Sequence, residues 1–189
     1  MKRKKTLRQI LLTLLIVFVL SLYGFIYVSQ NLATYCIYYV KHMPQIHDKD
    51  TNPEMVVILD NLDYWGESTI EGLRYDTDGH NSIIKDSSYI LRQSYGDDKM
   101  GYEVGFLQGY NSEYYRAYQF DKSGKFYSYY YQKADIWKDV YDKSDIRKQE
   151  AQRYVDEVIN PIVEKMEVKP KVNLQWLFNK KYQERFSDE

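Results

Sequence analysis

The sequence predicts an α+β domain held by an N-terminal transmembrane helix, and three patterns lead there. An uncharged stretch of 32 residues separates Arg8 from Lys41. A middle section strings short Tyr, Ile, Val and Phe runs between clusters of Asp, Gly, Asn and Ser. The last third repeats apolar residues at helical spacing. With 44% hydrophobic and 28% charged residues, one Cys and four Pro, the chain is neither disordered, collagen-like nor a disulfide scaffold. Tyrosine occurs 21 times, twice as often as Phe and Trp together, so most rings carry a polar end.

The first element is the apolar run 10–28, interrupted by Thr13, Ser21 and Gly24 alone. Nineteen such residues cross about 30 Å of hydrocarbon as a helix, and no polar stripe marks them as a core helix. The run exceeds a signal-peptide core, no small-x-small pattern follows it, and Tyr35 stands where a lipoprotein site ahead of Cys36 needs a small residue. The segment is therefore expected to stay as an anchor. Lys2, Arg3, Lys4, Lys5 and Arg8 precede it and no cation follows closely, so the positive-inside rule puts residues 1–9 in the cytoplasm and the remainder outside. The expected organisation is a basic head at 1–9, an anchor at 10–28, a linker at 29–45 and one extracellular domain at 46–189.

Removing those five cations leaves 21 basic against 27 acidic side chains, a net charge of −6. The excess lies in residues 41–80, where Lys41, Lys49 and Arg74 face nine carboxylates. That sign disfavours nucleic acid and suits the steering of a basic partner. A lone Cys leaves the domain to be held by its core.

Within the domain, Asn52 followed by Pro53 and Glu54 marks a helix start leading into 55–62. Residues 69–131 read as a meander of four or five antiparallel strands, with turns at 76–81, 96–101, 109–113 and 121–125. Ser144 or Asp145 caps a helix whose apolar positions include Ile146, Tyr154, Val155, Val158, Ile159, Ile162, Val163 and Met166, with Pro161 expected to kink or divide it. A short terminal helix over 173–186 carries Leu174, Trp176, Leu177, Phe178, Tyr182 and Phe186. These helices are expected to cover one sheet face.

The last turn predicts register. Asp121 to Lys125 with Gly124 in the left-handed position fits a type I turn closed by a bulge. Phe120 then faces Phe126 and Tyr118 faces Ser128 on one side of the hairpin. On the other, Gln119 faces Tyr127, Ala117 faces Tyr129 and Tyr115 faces Tyr131. Rigid rings with polar tips suit recognition, so Tyr115, Gln119, Tyr127, Tyr129 and Tyr131 are the candidate partner-binding residues. A register shift of one residue would exchange the faces.

Chemistry is sparse. His42, His47 and His80 lack the spacing of zinc ligands, and Asp76, Asp78 and Gly79 begin like a calcium loop but meet Ser87 where the bidentate Glu belongs. There is no nucleophile elbow, phosphate loop or dinucleotide fingerprint. Asp60 with Asp63 is a candidate acid–base pair among many carboxylates. The expectation is a non-enzymatic protein without metal or cofactor.

The basic head and single span, Tyr64-Trp65-Gly66 ahead of the Tyr-rich strands, and Val172-Asn173-Leu174-Gln175-Trp176-Leu177-Phe178-Asn179 followed by Lys181-Tyr182 together resemble the TipC family of immunity proteins from Gram-positive bacteria. The resemblance implies a surface-anchored protein that neutralises an LXG-type toxin exported by the type VII secretion pathway, in the founding pair one that attacks the cell-wall precursor lipid II outside the membrane. It transfers no contact residue. The residues themselves leave two other readings open: an anchored binding module for a cell-wall glycan or small ligand, and a membrane-bound hydrolase using a carboxylate pair from residues 48–78.

Overall fold

The computed structural model describes residues 2–44, 50–94, 101–106, 114–133 and 136–186, with the backbone alone for 2–7, 114–115, 132–133 and 136–140. Helix α1 runs unbroken over Lys2–Thr34. Within it Arg8–Thr34 is long and apolar enough to cross a membrane, and its most apolar window is not buried by the rest of the chain. The exposed apolar side chains extend from Ile10 to Tyr27. Beyond them the surface changes, for Asn31 and Ala33 are buried.

Residues 31–43 of the linker expected at 29–45 are thus part of the folded domain. Helix α2, Cys36–Lys41, follows α1 after a single residue and puts Cys36, Ile37, Tyr39 and Val40 into the core. The Tyr39 hydroxyl donates to Asn31 Oδ1 at 2.7 Å, and the Trp65 indole donates to the Ala33 carbonyl at 3.2 Å, so the end of α1 is part of the domain. Apolar spacing cannot separate a membrane segment from a core segment that continues it.

Helix α3, Pro53–Asp60, starts where Asn52-Pro53 predicts, and a 3₁₀ turn at Leu62–Tyr64 follows. The Asn52 side chain does not cap it; its amide donates to the Gly124 carbonyl and its oxygen accepts from Gln152. Met55, Val56, Val57, Ile58 and Leu59 are all fully buried. A helix apolar all round needs cover on every side, and α3 has it, packed against α2, the sheet and helix α4, Asp145–Met166.

Seven antiparallel strands follow in sequence order: β1 Leu73–Asp76, β2 Ser82–Lys85, β3 Tyr89–Gln93, β4 Tyr102–Phe106, β5 Tyr114–Phe120, β6 Phe126–Lys133 and β7 Ile136–Asp142. The meander is as expected in class and exceeds the four or five strands anticipated. The turns at 76–81 and 121–125 are found; those at 96–101 and 109–113 lie largely or wholly outside the described residues. Ser144 caps α4 by accepting from Arg147 N–H, and Pro161 sits inside a helix that it does not divide. Helix α5, Gln175–Phe186, is entered through the Asn173 side chain, which accepts from Gln175 N–H. Phe178, Tyr182 and Phe186 dock on the domain, with Phe178 against Tyr39 at 5.4 Å between ring centres.

Candidate interaction surface

The β5–β6 hairpin decides which side chains reach which face. Asp121 Oδ1 accepts from Ser123 N–H, Ser123 Oγ and Lys125 N–H, and Asp121 N–H donates to the Lys125 carbonyl. Gly124 has φ +80°, and a Cβ there would lie 3.0 Å from backbone atoms of Asn52, so glycine is needed for both conformation and space. Phe120 pairs with Phe126, as expected.

The next step departs from expectation. Gln119 pairs with Ser128, leaving Tyr127 as an extra, bulged residue. Tyr118 then pairs with Tyr129, Ala117 with Tyr130, Arg116 with Tyr131 and Tyr115 with Gln132. The anticipated pairs of Gln119 with Tyr127, Ala117 with Tyr129, Tyr115 with Tyr131 and Tyr118 with Ser128 do not form. The five candidate residues are therefore not one face. Gln119 and Tyr127 lie on one side of the sheet and Tyr129 and Tyr131 on the other; Tyr115 is placed by its backbone pairing alone.

Helix α4 identifies the side occupied by Tyr129. Tyr154 on α4 meets the rings of Tyr89, Phe106 and Tyr118 at 5.0, 5.1 and 5.6 Å, and Tyr118 stacks beside Tyr129 at 5.0 Å. The Tyr118 hydroxyl donates to Glu150 at 2.8 Å, Arg147 joins Glu150 at 2.7 Å, and the Arg147 guanidinium covers the Tyr129 ring at 4.3 Å. The hydrogen bond from Tyr118, then that from Arg147, holds the Glu150 carboxyl below the usual carboxylate range. Burial, and after it the acceptor Glu150, raises Tyr118. Tyr118 and Tyr129 are thus packing residues, and the hydroxyls of Tyr118 and Tyr89 are satisfied by Glu150 and Glu157 on α4.

The other face carries two rows across the strands. One reads Arg74, Ile84, Ile90, Gly105, Ala117, Tyr130 and Tyr141; the other Asp76, Ser82, Arg92, Glu103, Gln119 and Ser128. The helix-to-sheet ring contacts and hydrogen bonds above all fall on the opposite side. Arg92 Nε donates to Glu103 at 2.6 Å, so the nearly buried carboxylate is paired on its own face. Ser128 Oγ donates to Gln119 Oε1 at 2.7 Å. Tyr130 and Tyr141 lie 5.6 Å apart, and Lys143 Nζ sits 4.3 Å over the bulged Tyr127 ring. Ala117, Gln119 and Ser128 at the centre are buried, which leaves the half-exposed rings of Tyr127 and Tyr130 and the exposed ring of Tyr141 to meet a partner. Sequence reasoning missed Tyr130 and Tyr141 because a run of three tyrosines does not say which of them faces out unless the bulge is known.

The other candidates resolve into packing. Asp60 accepts from Tyr102 and Gln93 and pairs with Arg185 at 2.6 Å, which ties α3, β4 and α5 together. Asp50 pairs with Lys148, and Asp76 with Arg74, which dilutes the acidic stretch. Asp76 accepts from Asp78 N–H in a turn where Gly79 has φ +85°. Among the described residues no group of three or more His, Cys, Asp or Glu is placed to hold a metal ion. His42 stacks on Tyr38, and His47 lies outside the described residues. Cys36 is fully buried, and burial pushes its thiol up to about 12. A concavity of about 530 Å³ lies where α1 ends, walled by Tyr35, Tyr64, Trp65, Tyr75 and Met166, with Glu67 and Lys165 at its lining.

Comparison of the chain with family models, with curated proteins and with solved structures finds no match. The class that its architecture defines is an α+β domain continuous with an apolar N-terminal helix, with one face of its seven-stranded sheet crossed by no helix among the described residues.

Proposed function

We propose that this chain is a membrane-anchored immunity protein: a single span with its N-terminus in the cytoplasm holds the domain outside, where it binds and neutralises a secreted antibacterial toxin acting on lipid II. The likeness to such proteins in the basic head, Tyr64-Trp65-Gly66 and the 172–179 run supports this reading. The observation that carries it is the sheet face that no helix among the described residues crosses, with Arg92, Tyr127 and Tyr130 half-exposed on it and Tyr141 exposed. Inhibition of this kind needs complementarity rather than a reacting group, and an antagonist of an enzyme working on the outer leaflet must stand outside.

The test is protection. Sensitive cells receive the protein encoded beside this chain, directed to the cell exterior, together with the full chain, a Tyr127→Ala/Tyr130→Ala variant or no chain. Survival with the full chain and its loss with the double variant is the expected result. Equal killing with and without the full chain overturns the reading.

A further inference from the structure

The geometry points to a second interface, at the base of the domain: the 168–173 loop, Trp176 and Tyr64 sit in the lipid headgroup layer and dock the domain on the bilayer that holds α1. This rests on α1 spanning that bilayer, and applies whichever side the domain is on. Height is set by hydrogen bonds. The Val172 carbonyl accepts from Asn31 Nδ2 at 3.3 Å and lies 3.1 Å from the Tyr39 hydroxyl oxygen. Asn31 is three residues past Val28, about 4.5 Å along a helix, whereas the headgroup layer is about 5–7 Å deep on each side. The chain descends towards it, since Glu167 meets Lys41, Val168 lines the concavity beside Thr34, and Val172 reaches Asn31.

The chemistry of this base fits a membrane surface. Val172, at the level of Asn31, is exposed by 45%, Val168 and Tyr64 beside Thr34 by 56 and 53%, and Trp176, two residues past the Leu174 N–H that meets Tyr39 OH, by 66%, and Trp and Tyr rings are favoured at a bilayer surface. Lys169 and Lys171 are exposed among them, and residues 168–173 contain no carboxylate, so both cations can meet lipid phosphates. Because α1 enters the core without a flexible break, the loop cannot swing away from the bilayer. A partner protein would need no such coincidence between the apolar side chains and the end of the span.

Spin labels on the full chain test this. In a Cys36→Ala background, Val172→Cys, Trp176→Cys, Leu15→Cys and Ile146→Cys are labelled singly and reconstituted into vesicles of three parts phosphatidylcholine to one part phosphatidylglycerol. Ile146 is exposed and lies about 30 Å along α4 from the base, so it reports open water. The expected result is a several-fold lower collision rate with an aqueous nickel chelate at 172 and 176 than at 146, with oxygen collisions raised towards those at 15. Label 15 in the bilayer with 172 as open to nickel as 146 overturns the docking and leaves the span standing. Label 15 in water overturns both. Shielding of 172 from nickel and oxygen alike means a protein covers the base, which also overturns the proposal.

Discussion

Deleting Tyr127 asks whether the sheet faces are assigned correctly. In the structure this residue has no cross-strand partner, so its removal joins Phe126 to Ser128 and leaves every other pair intact: Phe120 with Phe126, Gln119 with Ser128, Tyr118 with Tyr129. The loss is an exposed contact between Lys143 and the ring, about 0.5–1 kcal/mol, against relief of an irregular ladder. The net change is expected within about 1 kcal/mol, a shift in Tm of about 2–4 °C for a domain this size. If the strands instead paired without a bulge, the deletion would turn residues 128–131 over. Tyr130 would leave the helix-facing side, at about 1.5–3 kcal/mol for its burial, and Tyr129 and Tyr131 would be forced into packing fitted to Ser128 and Tyr130, at about 1–3 kcal/mol. That totals about 3–6 kcal/mol, or upwards of about 10 °C. Thermal denaturation of the full chain in detergent separates the two, and a fall of the larger size would refute the register.

Other perturbations have equally definite outcomes. Asp60→Ala strips Arg185 of its carboxylate and leaves the buried Tyr102 hydroxyl with the guanidinium alone; partial exposure discounts the full cost of a broken buried pair, so the loss is about 2–4 kcal/mol by denaturant titration, and Asp60→Asn should cost less. Glu150 titrates below the unfolded value when folded, so its contribution is complete above the ordinary glutamate range and disappears as pH falls through the lowered value. Glu150→Gln should therefore flatten the acid limb of the stability curve, and an unchanged limb would contradict the Tyr118–Arg147 arrangement. Cys36, buried and with its thiol pushed up to about 12, should resist alkylation in the folded chain near neutral pH and react on unfolding; rapid modification of the native protein would show that the end of α1 is not packed as described.

Much of this architecture is legible in the residues, and the failures have physical causes. Ser144 as a cap and Gly124 in a tight turn are local, steric requirements that read directly from sequence. The bulge at Tyr127 is not local, because any of Tyr127, Tyr129, Tyr130 and Tyr131 satisfies β-propensity on either face; what selects among them is the packing of Tyr118 and Tyr129 against Tyr154 and Arg147 from a distant helix. The β2–β3 turn escaped notice because Asp86 and Ser87 take positive φ without a glycine to announce it. Strand β7 alternates Ile136, Lys138 and Val140 with Trp137, Asp139 and Tyr141, which gives no clean polar face. Residues 29–45 read as a linker because nothing in the sparsely charged, aromatic stretch 31–43 records that Phe178 and Val172 return to meet it.

The central claim is that the helix-free face receives the partner, and the dissociation constant of the complex with the neighbouring gene product measures it most directly. The account predicts that Tyr130→Ala and Tyr127→Ala each weaken binding about tenfold or more, about 1.4 kcal/mol, while Ile146→Ser on the exposed start of α4 leaves it unchanged. Undiminished affinity in both tyrosine variants, or a loss confined to the α4 variant, would contradict it.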